Sequence, residues 1–156
     1  MTAAAAGDPG HDRNNARRLL GITGLLPFAA SAAVLLLSAD RGWQTTAADG
    51  LLNYAALVAS FLGAVHWGAA AQGHREQPRL RLAWGVTPAL VAWLLLGLPD
   101  SIALMGFAGL FALILVVDRS LLPVLDDDYR RLRLRLSVPV IILLLACSIA
   151  APGAAT

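Results

Sequence analysis

The chain has 156 residues, enough for one domain, and is 58% hydrophobic and 14% charged, against roughly 45–50% and about 25% in soluble domains. Its net charge is +2, and all twelve cationic residues are arginine. Five apolar runs consume nearly the whole length, which excludes a second soluble domain, and the lone Cys147 excludes an intrachain disulfide or a thiolate metal cluster.

Residues 1–18 are Ala-rich and then polar, and read as a disordered tail. Span 1 is expected over about 19–38, long enough to prefer a membrane helix over a cleaved signal segment, with a kink at Pro27. A polar loop is expected at 39–50, with Trp43 as an interfacial anchor. Span 2 follows at about 51–72, a loop with Gly73 and Pro78 at 73–81, and span 3 at about 82–98. Pro99, Asp100 and Ser101 form a tight turn and a helix cap before span 4, about 101–117. Spans 3 and 4 are near the ~17-residue minimum for crossing. In the loop 118–135, Asp126, Asp127 and Asp128 signal a helix start and precede a short basic interfacial helix. Span 5 completes the series at about 136–151, with Pro139 in its first turn.

The arginines fall in alternate gaps. Arg13, Arg17 and Arg18 precede span 1, Arg75, Arg79 and Arg81 lie between spans 2 and 3, and Arg119, Arg130, Arg131, Arg133 and Arg135 lie between spans 4 and 5. Only Arg41 occupies another gap. Short basic loops stay cytoplasmic because moving their charge outward is unfavourable. The expected fold is therefore an all-α integral membrane protein, a bundle of five transmembrane helices with its N-terminus in and C-terminus out. The basic face suits anionic lipid headgroups. It does not suggest nucleic acid, since topology already explains the arginines. A bacterial inner membrane is the expected location, with the mitochondrial inner membrane as alternative.

Span 2 differs from its leucine-rich neighbours. Ala56, Ser60, Ala64 and Gly68 form one ladder of small residues, and Ala59, Gly63, His66, Ala70 and Gly73 a second sector. Small residues let membrane helices approach closely, so two such sectors place span 2 at the bundle centre with the least lipid exposure. His66 is the ionisable side chain well inside a span, and such residues mark functional sites by default. Trp84 and Thr87 of span 3, Asp118 of span 4 and Arg133 before span 5 share its depth. The candidate polar cluster is therefore His66, Trp67, Trp84, Thr87, Asp118 and Arg133, in the cytoplasmic half. Thr87 is the expected His66 partner, with Asp118 drawn instead to an arginine. Each residue also has a structural reading: His66 as a satisfied interhelical donor, the tryptophans as packing or interfacial groups. A haem or metal role for His66 lacks a second ligand in the spans, so no cofactor is expected.

The run Ser60-Phe61-Leu62-Gly63-Ala64-Val65-His66-Trp67-Gly68, with Tyr54 before it, combines with Trp84-Gly85-Val86-Thr87-Pro88-Ala89-Leu90, Trp93, Asp118, Tyr129-Arg130 and Leu132-Arg133. Together these resemble the domain of unknown function 3429 family, which includes transmembrane protein 69-like proteins, over roughly 19–150. Ala64 stands where that family often has glycine. The resemblance implies a small multispanning membrane protein and no established activity. Three functions compete. The first is a non-enzymatic protein that assists or scaffolds inner-membrane components, through membrane-protein partners or a homo-oligomer. The second is a small-molecule or lipid binder or carrier at the His66 cluster. The third is a lipid-acting enzyme using His66 and Asp118 as acid and base.

Overall fold

The computed structural model describes residues 19, 21–71, 78–121 and 127–151. The expected tails at 1–18 and 152–156 and the segments 72–77 and 122–126 lie outside them. Helices dominate the described residues: α1 (Leu26–Leu37), α2 (Arg41–Ala71), α3 (Pro78–Leu95), α4 (Asp100–Leu121) and α5 (Asp127–Ala150).

Pro27 acts as a helix starter rather than a mid-helix kink. Residues 21–23 are helical, the chain turns at Gly24 and Leu25, and Pro27 sits in the first turn of α1. Proline suits that position because its missing N–H would have no partner there. The Leu25 N–H closes the turn on the Ile22 carbonyl at 2.9 Å. The Tyr54 hydroxyl donates to the Gly24 carbonyl at 3.0 Å, so α2 satisfies a backbone group at the break.

The polar stretch 39–50 is not a loop. Helix α2 begins at Arg41 and runs for 31 residues, about 46 Å at 1.5 Å per residue. Asp40 starts it: its Oδ1 accepts the Trp43 N–H at 3.0 Å, and its carbonyl accepts the Gln44 N–H at 3.1 Å. This is N-capping chemistry. Ser38 braces the cap by accepting the Asp40 N–H at 3.2 Å. Helix α5 is likewise continuous. The basic stretch expected as a separate interfacial helix forms its first turns, with Pro139 inside it.

Three segments are long and apolar enough to cross a membrane: Arg41–Gly68, Asp100–Ser120 and Arg131–Ala150. The first apolar segment, Gly21–Leu37, is shorter, and α3 carries Arg79 and Arg81 within its 18 residues.

Consecutive helices pack as neighbours, α1 closes the bundle against α5, and α2 touches α4 across the middle. Phe28 of α1 meets the rings of Tyr54 and Phe111 edge-on, at centroid distances of 4.9 and 6.1 Å. Leu104, Phe107, Phe111 and Ile114 line the buried face of α4 at three- and four-residue spacing. They pack with Leu51, Ala55 and Ala59 of α2 and with Leu144 and Cys147 of α5 in one core.

The core corrects the expectation that α2 is the least exposed span. In an apolar 18-residue stretch of each, 39% of α4 is buried against 33% of α2. Only one of the two small sectors of α2 is packed. Ala59, Gly63 and His66 are buried, whereas Ala64 and Gly68 are exposed beside Phe61 and Trp67. Small side chains permit close approach without demanding it, and one helix face suffices for its neighbours. Where approach is close, it is backbone to backbone: a Cβ on Gly63 would stand 2.6 Å from the Gly85 carbonyl oxygen, and one on Gly85 would collide with Trp67.

Candidate functional site

Four helix ends share the arginine-bearing end of the bundle: the C-termini of α2 and α4 and the N-termini of α3 and α5. His66 lies five residues before the end of α2, and Asp118 three before the end of α4. Arg81 lies three residues into α3, and Arg133 six into α5. At 1.5 Å per residue each is within about 10 Å of its helix end, so antiparallel packing sets them in one layer.

Within that layer, His66 is fully buried, and its Nε2 lies 2.8 Å from Asp118 Oδ1. A carboxylate oxygen accepts, so the N–H is assigned to Nε2. The other oxygen, Oδ2, forms an ion pair with Arg133 Nη2 at 2.6 Å. The side chains of Asp118 and Arg133 are 11% and 10% exposed, so the pair is largely shielded from water. One carboxylate thereby ties α2, α4 and α5 together.

Thr87 does not fill the expected role of His66 partner. Its hydroxyl donates to the Ala83 carbonyl of its own helix at 2.9 Å, the bond back to the i−4 carbonyl that a mid-helix threonine makes. Asp118 takes the histidine and an arginine at once. Trp67 is half-exposed, and its Nε1–H donates to the Leu82 carbonyl at 3.1 Å. It therefore fastens α2 to α3 beside the cluster.

Trp84 is partly buried, and its Nε1 has no hydrogen-bond partner among the described residues. His66 Nδ1 and Arg81 Nε share that condition. Arg81 falls within the loop expected at 73–81, yet it is helical and only 3% exposed. A signal was present: Arg81, Gly85, Pro88 and Ala92 recur at four-, three- and four-residue spacing, and all four are buried. Trp67 and Leu82 are hydrogen-bonded neighbours, and each is one residue along its helix from His66 and Arg81 respectively. The α2–α3 seam thus brings these two side chains to the same level. Among the described residues, no three His, Cys, Asp or Glu side chains form a group able to hold a metal ion.

The match to known proteins covers this layer. A family described as Protein of unknown function (DUF3429) matches residues 14–149. Transmembrane protein 69 of Xenopus tropicalis is 35% identical over 124 residues, covering 76% of this chain and 48% of the relative. The chain thus spans about half the length of that curated relative. No solved structure matches. With the match running nearly end to end, the chain belongs to the DUF3429 family, whose function is unknown.

Proposed function

We propose that the protein is a five-span inner-membrane protein, N-terminus inside, that binds a small molecule or lipid in its cytoplasmic half at the His66 layer. A bacterial membrane fits the short basic loops, which follow the positive-inside bias. The observation that carries the binding reading is the set of buried, unpartnered polar atoms His66 Nδ1, Arg81 Nε and Trp84 Nε1. Buried polar groups in native structures are nearly always paired, so open ones converging at one level support a molecule that completes them. The acid–base reading is weaker, because both Asp118 oxygens are already engaged, by His66 and Arg133.

The test is purification of the full chain in mild detergent, followed by lipid and metabolite mass spectrometry. Wild-type protein retains a specific molecule, and His66→Ala loses it while keeping its helical signature. If wild-type and His66→Ala carry the same bulk lipids and nothing else, binding at this layer is refuted. A scaffolding role then takes its place.

A further inference from the structure

The binding reading leaves the chemistry of the ligand open, and Arg81 narrows it. Resting on that reading, we propose that the Arg81 face of α3 is an oxyanion site. There the Arg81 guanidinium and the Trp84 indole N–H hold a phosphate group, carried by a lipid headgroup or free in solution.

The first observation is charge. Arg81 is 97% buried, from its 3% exposure, and forms no ion pair among the described residues. Asp118, the carboxylate of this layer, is in contact with His66 and Arg133. Its Nε is buried and without a partner among the described residues, and a cation so largely shielded is retained where a counter-charge meets it.

The second is donor geometry. Trp84 is three residues after Arg81 on the same helix, so the two side chains are neighbours on one face. The Nε1 of Trp84 and the Nε of Arg81 are both buried and lack acceptors among the described residues. An oxyanion offers several lone pairs to such donors, and the guanidinium fork matches phosphate geometry. A neutral ligand would satisfy the indole and leave the guanidinium charge unmatched.

The third is the helix beneath them. The first turn of α3 contains no acidic residue, yet it carries Arg79 and Arg81. Cations there oppose the positive end of the helix dipole, whereas an anion would be favoured by the dipole, the free N–H groups and both arginines together. Arg81 is about 4.5 Å into the helix, near the level of headgroup phosphates if α3 begins at the membrane surface.

The experiment uses the full chain in a neutral detergent and reads thermal stabilisation. The titrants are inorganic phosphate and dihexanoyl phosphatidylglycerol, with a short-chain diacylglycerol as phosphate-free control and sodium chloride matching ionic strength. A saturable shift with phosphate points to a free oxyanion, and one confined to the phosphatidylglycerol points to a headgroup; either supports the site. Arg81→Gln and Trp84→Phe should each weaken that binding roughly tenfold or more, the scale of a lost charge-assisted bond. Thr45→Val, in the exposed first turns of α2, should leave it unchanged. Absence of a saturable shift with both phosphate compounds overturns the proposal. So does a shift that survives Arg81→Gln or, where that variant does not fold, Trp84→Phe. If mass spectrometry finds a neutral molecule retained through His66 while neither phosphate compound binds, the oxyanion site is wrong and the binding reading stands. If nothing co-purifies and nothing binds, both fall.

Discussion

His66 and Asp118 are 52 residues apart in sequence, and their side chains meet at 2.8 Å between two helices that cross the centre of the bundle. Asp118→Ala would leave the buried imidazole without its acceptor and take one counter-charge from Arg133. The expected loss is about 3 kcal/mol, well above the ~0.6 kcal/mol average of interhelical hydrogen bonds in membranes. Reversible unfolding in mixed micelles measures it. In a double-mutant cycle, His66→Ala with Asp118→Ala should cost less than the two single changes added. Strict additivity would mean that the 2.8 Å contact carries no energy.

The two glycines of α2 should respond differently. Gly63→Leu forces a side chain into the Gly85 carbonyl and Pro88, whereas Gly68 has open space around it. Helix α3 should therefore detach in Gly63→Leu, read as faster proteolysis or a lost thermal transition, and Gly68→Leu should behave as wild type. Equal damage at both positions would place a second partner on the Gly68 face.

Tyr54→Phe keeps the ring against Phe28 and removes the hydroxyl that donates to Gly24. The expected destabilisation is about 1 kcal/mol, with faster amide exchange concentrated at residues 21–25. Unchanged exchange there would show that the break is held by its own turn.

Asp40→Ala removes the side-chain cap of α2 at a cost of about 1 kcal/mol. Amides of residues 41–46 should exchange faster, while those beyond Leu51 should not. Uniform exchange along α2 in both proteins would refute the cap.

For topology, a reporter active only when exported, fused after Thr156, should give signal, and a cytoplasmic reporter at the same point should not. The reverse pattern would invert the orientation drawn from the arginines.

Long-period features were legible in the sequence. The apolar runs locate five helices, and shared depth picks out His66, Asp118 and Arg133, which do come together. Local chemistry was harder to weigh. Asp40 looked like part of a polar loop because the residues after it are hydrophilic, yet its cap makes them the first turns of a helix. Thr87 had the right depth for His66, but depth does not reveal whether a hydroxyl will turn back to its own carbonyl. Arg81 was read with its loop because arginine counts as a boundary marker. Its spacing to Gly85 and Pro88, which puts it on the packed face, carries the opposite message.

The unequal lengths of α2 and α3 give the molecule an uneven rim. These neighbours have 31 and 18 residues, about 46 and 27 Å, beside a hydrocarbon layer of about 30 Å. The extra length of α2 is its polar beginning, residues 41–50. With its apolar part seated in such a layer, that beginning projects beyond the lipid tails, and the Asp40 cap stands among headgroups and water. Acyl-chain length should therefore act on the apolar part of α2 and leave its capped end untouched.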